Sequence, residues 1–508
     1  MRSAKPLTLS LIVLAALLFG ALSPIAAQDG GNILIMARAA DTTGLDPHTQ
    51  TAFASARLLE LIYEPLVLLD ADLNLIPGLA ESWEFSDDAT QLTFTLRQGV
   101  KFHDGSDFTS EDVKASFERI LDEATGAATR ANLASIESID TPDDYTVVLN
   151  LNTADVPLAS ALTTFNAVIL SSDVIANGDP TTDVIGTGPF KLESWVPEEK
   201  TILSANPDWW GEGPFVDGIE MRVIPDEASI LAALRAGEID FALLNDPLVA
   251  TLLIDDPNIV LNRAPAIAYH VLQLNAARPP LDILEVRQAI SCAVDRQAVL
   301  DTAALGEGEV TGPLTIPAYK LPLDEFFCYE QDLDKARELM AQAGLEDGFT
   351  LKVIAANAEP PTALAEAQTI QAQLAEIGIE VEIEPLELSV YVDRWLAADF
   401  DAAVALNGGR PDPYTMYARY WVKGGNLSTV AGYGDDTLDQ LMAAGRAATD
   451  PAERFEIFSD FQRHLVEMAP WIWLYTEYEY TAQQPYVQGF IPMPTDSLYA
   501  LSQVTLEK

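Results

Sequence analysis

The sequence predicts an α/β fold, because segments with the two-residue period of strands alternate with segments that have the period of helices. Residues 91–97 alternate polar and apolar side chains, as a half-buried strand does. Residues 349–355, 362–377 and 379–384 form a strand, helix, strand pattern, which predicts a parallel pair with a crossover helix. The 508 residues are 49% hydrophobic and 21% charged, a globular composition long enough for more than one domain.

Further elements follow from the same periodicities. Strands are predicted at 145–151, 239–244, 271–274 and 471–480, and helices at 110–121, 228–236, 284–302, 334–343 and 455–468. Thr109 or Ser110 can cap the first of these helices, and Gly237 and Gly344 end two others.

The first 27 residues have the pattern of a secretory signal peptide. Arg2 and Lys5 precede an apolar run over 7–22, and small residues lead to expected cleavage after Ala27. The run is short for a spanning helix, which needs about 20 apolar residues, so an uncleaved anchor is the alternative. No Cys lies near this site to carry a lipid anchor, and no second long apolar stretch follows. We therefore expect an exported, soluble protein of the periplasm or the cell exterior.

Charge and missing motifs narrow the function. The chain has 29 Lys+Arg against 77 Asp+Glu, a net charge of −48, which argues against nucleic acid or anionic lipid as a partner. It lacks a phosphate loop, a G-x-G-x-x-G, a nucleophile elbow, H-E-x-x-H and C-x-x-C. The four histidines, His48, His103, His270 and His464, show no metal-ligand spacing. We predict no catalytic residue, metal or cofactor, and a binding protein in preference to an enzyme.

The two cysteines leave alternatives open. In an exported chain Cys292 and Cys328 can form a disulfide, or they can be two buried thiols.

Short blocks occur in order along the chain: LDPH at 45–48 with LIYEPL at 61–66; GLAESW at 78–83 with FTLR at 94–97 and VKFHDG at 100–105; GTGPF at 186–190 with NPDWW at 206–210; LN at 274–275 with VRQAI at 286–290 and AVDR at 293–296; and DKAREL at 334–339. Together these blocks resemble the peptide/nickel-type solute-binding proteins of ABC importers, the family of dipeptide- and oligopeptide-binding proteins. Within them, Trp83, Trp209 and Trp210 are expected to form core or subdomain contacts, and Arg287 and Arg296 structural ion pairs.

The resemblance implies a two-lobed fold of the periplasmic-binding-protein type (type II) with an extra subdomain. Lobe I would comprise 28–72, 184–271 and 476–508, the extra subdomain 73–183, and lobe II 272–475. The chain would cross between lobes near 269–275 and near 471–480, forming a hinge. A ligand that contacts both lobes would favour the closed form, which the transporter would recognise.

The resemblance also implies where the ligand binds. Cleft-lining positions of related proteins match these residues here: Thr51 and Phe53 in the N-terminal part, Tyr269 and His270 at the first crossing, Tyr475 at the second, and Asn407, Arg410, Asp412 and Tyr414 in and after the loop that follows the strand at 400–406.

Two positions of that loop depart from the family's peptide binders. Asn407 stands where an aromatic is usual, and Gly409 or Arg410 stands where an acid usually pairs with the peptide's α-amino group. Asp412 lies in the following turn, where it either caps the turn or meets a ligand amine. Arg410 offers planar donors for a carboxylate or phosphate, with a structural ion pair as the alternative.

The expected function is capture of a small ligand, a di- or oligopeptide or a related solute, and its delivery by a monomer to an ABC permease. Alternatives are an oligosaccharide or anionic-solute binder of the same family, a ligand sensor for a membrane receptor, and an exported hydrolase that uses a carboxylate pair.

Overall fold

The computed structural model describes residues 32–357, 360, 362–425 and 427–508. The predicted signal peptide at 1–27 therefore lies outside the described residues. Within the described ranges, none of the helices has both the length and the apolar character that a membrane crossing requires.

In chain order the strands are β1 (Ile33–Arg38), β2 (Val67–Leu69), β3 (Leu75–Pro77), β4 (Ala80–Phe85), β5 (Gln91–Leu96), β6 (Ile136–Asp143), β7 (Thr146–Leu151), β8 (Phe190–Val196), β9 (Lys200–Ala205), β10 (Gly218–Val223), β11 (Phe241–Leu244), β12 (Val260–Pro265), β13 (Tyr269–Leu274), β14 (Gly308–Val310), β15 (Phe349–Ala356), β16 (Ile379–Leu386), β17 (Ala402–Asn407), β18 (Trp471–Trp473), β19 (Tyr475–Gln483), β20 (Val487–Gln488) and β21 (Thr505–Leu506).

The α-helices are α1 (Phe53–Leu59), α2 (Ser110–Leu121), α3 (Leu158–Ala161), α4 (Ser172–Asn177), α5 (Glu227–Ala236), α6 (Pro247–Thr251), α7 (Leu284–Ala293), α8 (Arg296–Ala303), α9 (Leu333–Gln342), α10 (Ala363–Ala375), α11 (Leu388–Leu396), α12 (Pro413–Trp421), α13 (Ser428–Ala431), α14 (Asp436–Ala447) and α15 (Pro451–Met468). Short 3-10 helices lie at Glu123–Thr125, Arg130–Leu133, Phe165–Ala167, Pro317–Tyr319, Leu323–Glu325 and Tyr499–Gln503.

Three main sheets organise these strands and confirm the α/β prediction. The largest has the order β12-β19-β11-β1-β10-β9-β8, with β14 paired to β19. The second has the order β16-β15-β17-β13-β18, and the third is the antiparallel sheet β4-β5-β7-β6. The predicted parallel pair is confirmed, because β15 and β16 run parallel with Phe349 opposite Ile379.

Two direct connections join the largest sheet to the second. Residues 266–268 lead from β12 to β13, and Leu474 alone leads from β18 to β19. The first connection lies directly before the predicted 269–275 and does not overlap it, whereas the second lies inside the predicted 471–480. The aromatic strand predicted at 471–480 is accordingly two strands, because the chain changes sheet at Leu474.

The single helix predicted at 284–302 is also wrong, since the structure has two helices, α7 and α8. Val294 is extended, and the Asp295 carboxylate accepts a hydrogen bond from the Ala298 amide, so it caps a new helix. The disulfide, left open by the sequence, forms between Cys292 at the end of α7 and Cys328.

Arg287 and Arg296 are structural, but the predicted ion pairs are wrong. Arg287 Nε donates to Met468 O at 2.9 Å, and Arg296 Nε donates to Trp473 O at 2.9 Å. Both guanidinium groups are buried among backbone carbonyls, which need donors as much as carboxylates do.

The predicted tryptophans contribute contacts inside the fold. Trp209 Nε1 and Trp210 Nε1 donate to the two carboxylate oxygens of the buried Glu64, at 3.0 and 2.7 Å. Trp83 packs against the apolar core under the four-stranded sheet.

Candidate functional site

Strand β13 begins immediately after the first connection and carries neighbouring predicted site residues. Tyr269 and His270 are its first two residues, and both side chains are fully buried. Because successive strand residues face opposite sides of a sheet, these side chains enter different environments.

His270 lies in a buried cluster made by three elements. Its Nδ1 is 2.9 Å from Glu366 Oε1 on α10, and its Nε2 is 3.3 Å from Glu477 Oε1 on β19. The Tyr475 ring stacks on the imidazole with centroids 4.3 Å apart, and the Tyr475 hydroxyl donates to Glu366 Oε1 at 2.6 Å. The structure thus brings the predicted residues His270 and Tyr475 together at the junction of the two sheets.

The opposite charges within this cluster lie within ion-pair distance of one another. Burial lowers the pKa of His270, but the attraction of Glu366 and Glu477 outweighs it and raises the pKa to about 10. Burial would raise the pKa of Glu366, yet the imidazolium holds it below its usual range. Burial and the neighbouring Glu366 raise the pKa of Tyr475. His270 is therefore a charged, internally paired group at neutral pH.

Tyr269 faces a polar and aromatic environment formed with β17 and α12. In the β13–β17 register it lies opposite Asn407, and its ring centroid is 5.8 Å from that of Tyr417. Asn407 Oδ1 accepts a hydrogen bond from the Tyr420 hydroxyl at 3.0 Å, whereas the buried Asn407 Nδ2 has no partner within the described part of the chain. The amide nitrogen of Asn407 is therefore a buried donor that no described residue accepts.

The loop after β17 lies against the first connection. A side chain at Gly409 would collide with the Ile267 carbonyl, so only glycine allows this approach. Arg410 is exposed and donates from Nη1 to Gly409 O at 3.0 Å, and the half-buried Arg419 donates from Nη2 to Gly408 O at 3.0 Å. Among the described residues, neither guanidinium group has a carboxylate within ion-pair distance.

Asp412 has a structural environment. Its carboxylate caps α12 by accepting hydrogen bonds from the Tyr414 and Thr415 amides at 2.9 and 3.2 Å. It also pairs with Arg454 Nη2 at 2.7 Å, and both side chains are less than a tenth exposed. In this conformation the group predicted as a ligand partner is turned inward, because the cap and the buried pair use its oxygens.

Tyr414, Thr51 and Phe53 lie in other surroundings. The Tyr414 ring lies 5.3 Å from the Arg446 guanidinium, which pairs with Asp155 at 3.1 Å. Thr51 is exposed just before α1, and Phe53, the first residue of α1, is 76% exposed.

Glu366, Glu477 and Arg419 were not among the predicted residues. Glu366 had a usable signal, because it shares the buried face of α10 with Ala363, Ala367 and Ile370, where an acid needs a partner. The sequence held no such signal for Arg419, because its contact with Gly408 O forms only when α12 folds back onto the 408–410 loop.

Comparison with known proteins identifies relatives along nearly the whole chain. The family model "Bacterial extracellular solute-binding proteins, family 5 Middle" matches residues 74–428. The chain is 28% identical over 495 residues to the glutathione-binding protein GsiB of Salmonella typhi, covering 92% of this chain and 93% of the relative. It is 29% identical over 501 residues to Di/tripeptide-binding protein 1 of Pseudomonas aeruginosa, covering 90% and 91%.

Solved structures share the architecture. AgaA of A. tumefaciens R10, in complex with agropinic acid, is 31% identical with a TM-score of 0.73 over 94% of this chain and 99% of that one. HbpA2 from Haemophilus parasuis is 26% identical with a TM-score of 0.84, covering 94% and 100%.

Proposed function

Because the chain belongs to the bacterial extracellular solute-binding proteins of family 5, we propose that it captures a peptide or a related small solute between two lobes and delivers it to an ABC importer. The relatives' names support this ligand class, since one binds glutathione and another di- and tripeptides. Its relatives are transport proteins that bind solutes, which supports a role in binding and not in bond chemistry.

The observation that carries the proposal is the pair of strand connections at 266–268 and Leu474. Two short connections side by side let one sheet rotate relative to the other with few changes in backbone angles. A ligand that contacts both sides stabilises the closed arrangement by its differential affinity. In this proposal the domain boundaries are those the sequence suggests: 28–72, 184–271 and 476–508 for lobe I, 73–183 for the extra subdomain and 272–475 for lobe II.

Within the cleft, we assign ligand contact to exposed groups and, on the lobe II side, also to the buried Asn407, whose Nδ2 has no partner among the described residues. Thr51 and Phe53 would contribute from lobe I, and Asn407 and Arg410 from lobe II. His270 and Tyr475 would hold the hinge, and Asp412 would hold the loop. We further propose that the protein acts outside the cytoplasm as a monomer after cleavage near Ala27.

Native mass spectrometry of the protein as purified, followed by identification of any released ligand, tests the proposal. We expect one bound peptide or related solute per chain, and a higher melting temperature when it is added back. Phe53→Ala should weaken binding, whereas Phe215→Ala, which truncates a 44% exposed ring, is the matched control. Release of a chemically altered product would contradict the proposal and favour the hydrolase alternative.

A further inference from the structure

The turn between β2 and β3 carries a leucine in an unfavourable backbone conformation. Leu73 has a φ of 62°, in the left-handed region that residues other than glycine and asparagine rarely adopt. The Asp70 carboxylate fixes the turn by accepting hydrogen bonds from the backbone amides of Asp72 and Asn74, at 2.9 and 2.8 Å. The turn therefore holds Leu73 at its tip in one conformation.

The Leu73 side chain is only 5% exposed, because it packs into a core that belongs to lobe II and to its first strand. Among the described residues, the other buried members of this core all lie between 269 and 473. The hairpin itself starts from a different core, since Val67 on β2 and Leu75 on β3 pack under the four-stranded sheet of the extra subdomain. The hairpin thus connects the extra subdomain with lobe II.

A second contact joins the same two regions. The backbone amide of Val156, shortly after β7, donates at 3.0 Å to Arg446 O at the end of α14. The neighbouring Asp155 Oδ1 lies 3.1 Å from Arg446 Nε. Thr153 and Ala154 face α12 and α14 across a space of about 260 Å³. The two surfaces therefore meet at a few points with unfilled space between them.

The extra subdomain is fastened more firmly to lobe I. Arg119 on α2 pairs with the buried Asp46 of lobe I at 2.6 Å, and Arg119 Nη1 lies 2.8 Å from Nδ1 of the buried His48. The other ring nitrogen of His48 lies 3.0 Å from Val168 O. Buried polar groups are costly to separate from their partners. The extra subdomain should therefore move together with lobe I.

The contacts with lobe II form while the proposed cleft is accessible to solvent, since Phe53 on one side is 76% exposed and Arg410 on the other is exposed. Leu73 and Asp155 lie outside the strand connections at 266–268 and Leu474, about which the lobes would turn. A point away from the axis of a rotation moves relative to the other body. Closing the cleft would therefore displace Leu73 from its core and separate Asp155 from Arg446, and the free energy of these contacts opposes closure.

We propose that Leu73 and Asp155 form a brake on closure, through which the extra subdomain holds lobe II in the open arrangement. The proposal rests on the lobe movement of the function proposed above, but it requires no particular solute. Because the contacts of the brake are made within the protein, it would lower the affinity for every solute by the same factor. It would also keep the empty protein open to capture.

Small-angle X-ray scattering of the ligand-free full chain tests the brake. Leu73→Asn is the main variant, because asparagine tolerates the left-handed backbone but lacks the apolar side chain. Leu305→Asn is the matched control, since Leu305 also has a positive φ, 58°, but is 59% exposed. We expect a smaller radius of gyration for Leu73→Asn than for the wild type and for Leu305→Asn.

Hydrogen exchange followed by mass spectrometry reports on the second contact. A peptide that covers Val156 should exchange about tenfold or more faster in Leu73→Asn than in the wild type, because burial of one leucine shifts an equilibrium by about this factor. Asp155→Asn should give an increase of about two- to fivefold. Asp144→Asn, at an exposed acid of the same subdomain, should give none. A peptide that covers β5 reports on the subdomain's own fold and should keep the wild-type rate in all variants.

Three results would overturn the brake. The first is a larger radius of gyration for Leu73→Asn, which would mean that the contacts favour the closed arrangement. The second is equal radii and exchange rates in Leu73→Asn and Leu305→Asn. The third is faster exchange of β5 in Leu73→Asn, which would place Leu73 in the fold of its own subdomain.

The function proposed above fails or stands separately, because neither measurement uses a solute. If native mass spectrometry finds no solute while the variants behave as expected, the brake stands and solute capture fails. If a solute is found while the variants match their controls, solute capture stands and the brake is overturned.

Discussion

Two regions next to β13 differ in whether their charged side chains have charged partners inside the protein. On one side, the His270 imidazolium lies between the carboxylates of Glu366 and Glu477, and all three groups find partners inside the protein. Beside the loop that follows the neighbouring β17, Arg410 and the α12 residue Arg419 each donate to one carbonyl and pair with no carboxylate among the described residues, and the Arg419 guanidinium also lies 4.7 Å from the Tyr420 ring. A buried charge needs a partner because it has lost its contact with water, whereas an exposed charge remains hydrated without one. The comparison agrees with the proposal that the His270 cluster holds the hinge and that Arg410 contacts the ligand.

The largest effect is expected from Glu366→Gln, which removes the fully buried carboxylate that pairs with His270. Loss of one partner from a buried ion pair costs about 3–5 kcal/mol, because the remaining charge stays desolvated. Urea denaturation should therefore show a decrease of this size in the free energy of unfolding. Glu382→Gln, at an exposed position of β16 in the sheet that contains β13, is the control. It should change the free energy of unfolding by about 0.5 kcal/mol or less. Equal losses in the two variants would refute the role of the cluster.

The same cluster predicts a loss of stability at alkaline pH. The pKa of His270 is about 10 in the folded protein, against about 6.5 in an unfolded chain. Because the folded pKa is higher, the contribution is complete below about pH 6.5 and is lost as the pH rises through about 10. Unfolding free energies between these values should fall more steeply for the wild type than for His270→Gln. Parallel curves would show that His270 is neutral in the folded protein.

A smaller decrease in the free energy of unfolding is expected from Asp412→Asn. This variant tests whether the Asp412 carboxylate stabilises the loop or contacts the ligand. Asparagine preserves the cap on α12 but removes the charge that Arg454 meets at 2.7 Å, costing about 1.5–3 kcal/mol. Asp450→Asn is the control, since Asp450 caps α15 and is exposed. Ligand affinity, corrected for the unfolded fraction, should be unchanged in both. A selective loss of affinity in Asp412→Asn would return this carboxylate to the binding site.

The contrast between the two sides of β13 also shows what the sequence could predict. Periodicity identified β15, α10 and β16 and their parallel pairing, because those signals are local. The motifs identified His270 and Tyr475 as neighbours of the crossings. Their partner Glu366 is about 100 residues away along the chain, so only folding shows that the three meet. The inward turn of Asp412 likewise depends on Arg454, which lies on another helix.

The smallest effect on stability is expected from Arg410→Gln, even though neither Arg410 nor Arg296 pairs with a carboxylate of the described residues. Arg296 is buried and donates to several carbonyls and the Ser291 hydroxyl, so Arg296→Gln leaves buried acceptors without donors, each costing about 1–3 kcal/mol. Arg410 is exposed and gives up one bond to Gly409 O together with its repulsion from Arg419. Its replacement should change the free energy of unfolding by about 0.5 kcal/mol or less. Urea denaturation of both variants measures the difference. A large decrease in the free energy of unfolding of Arg410→Gln would mean that the loop needs this charge to fold. The contrast between the paired His270 cluster and the loop after β17 would then fail.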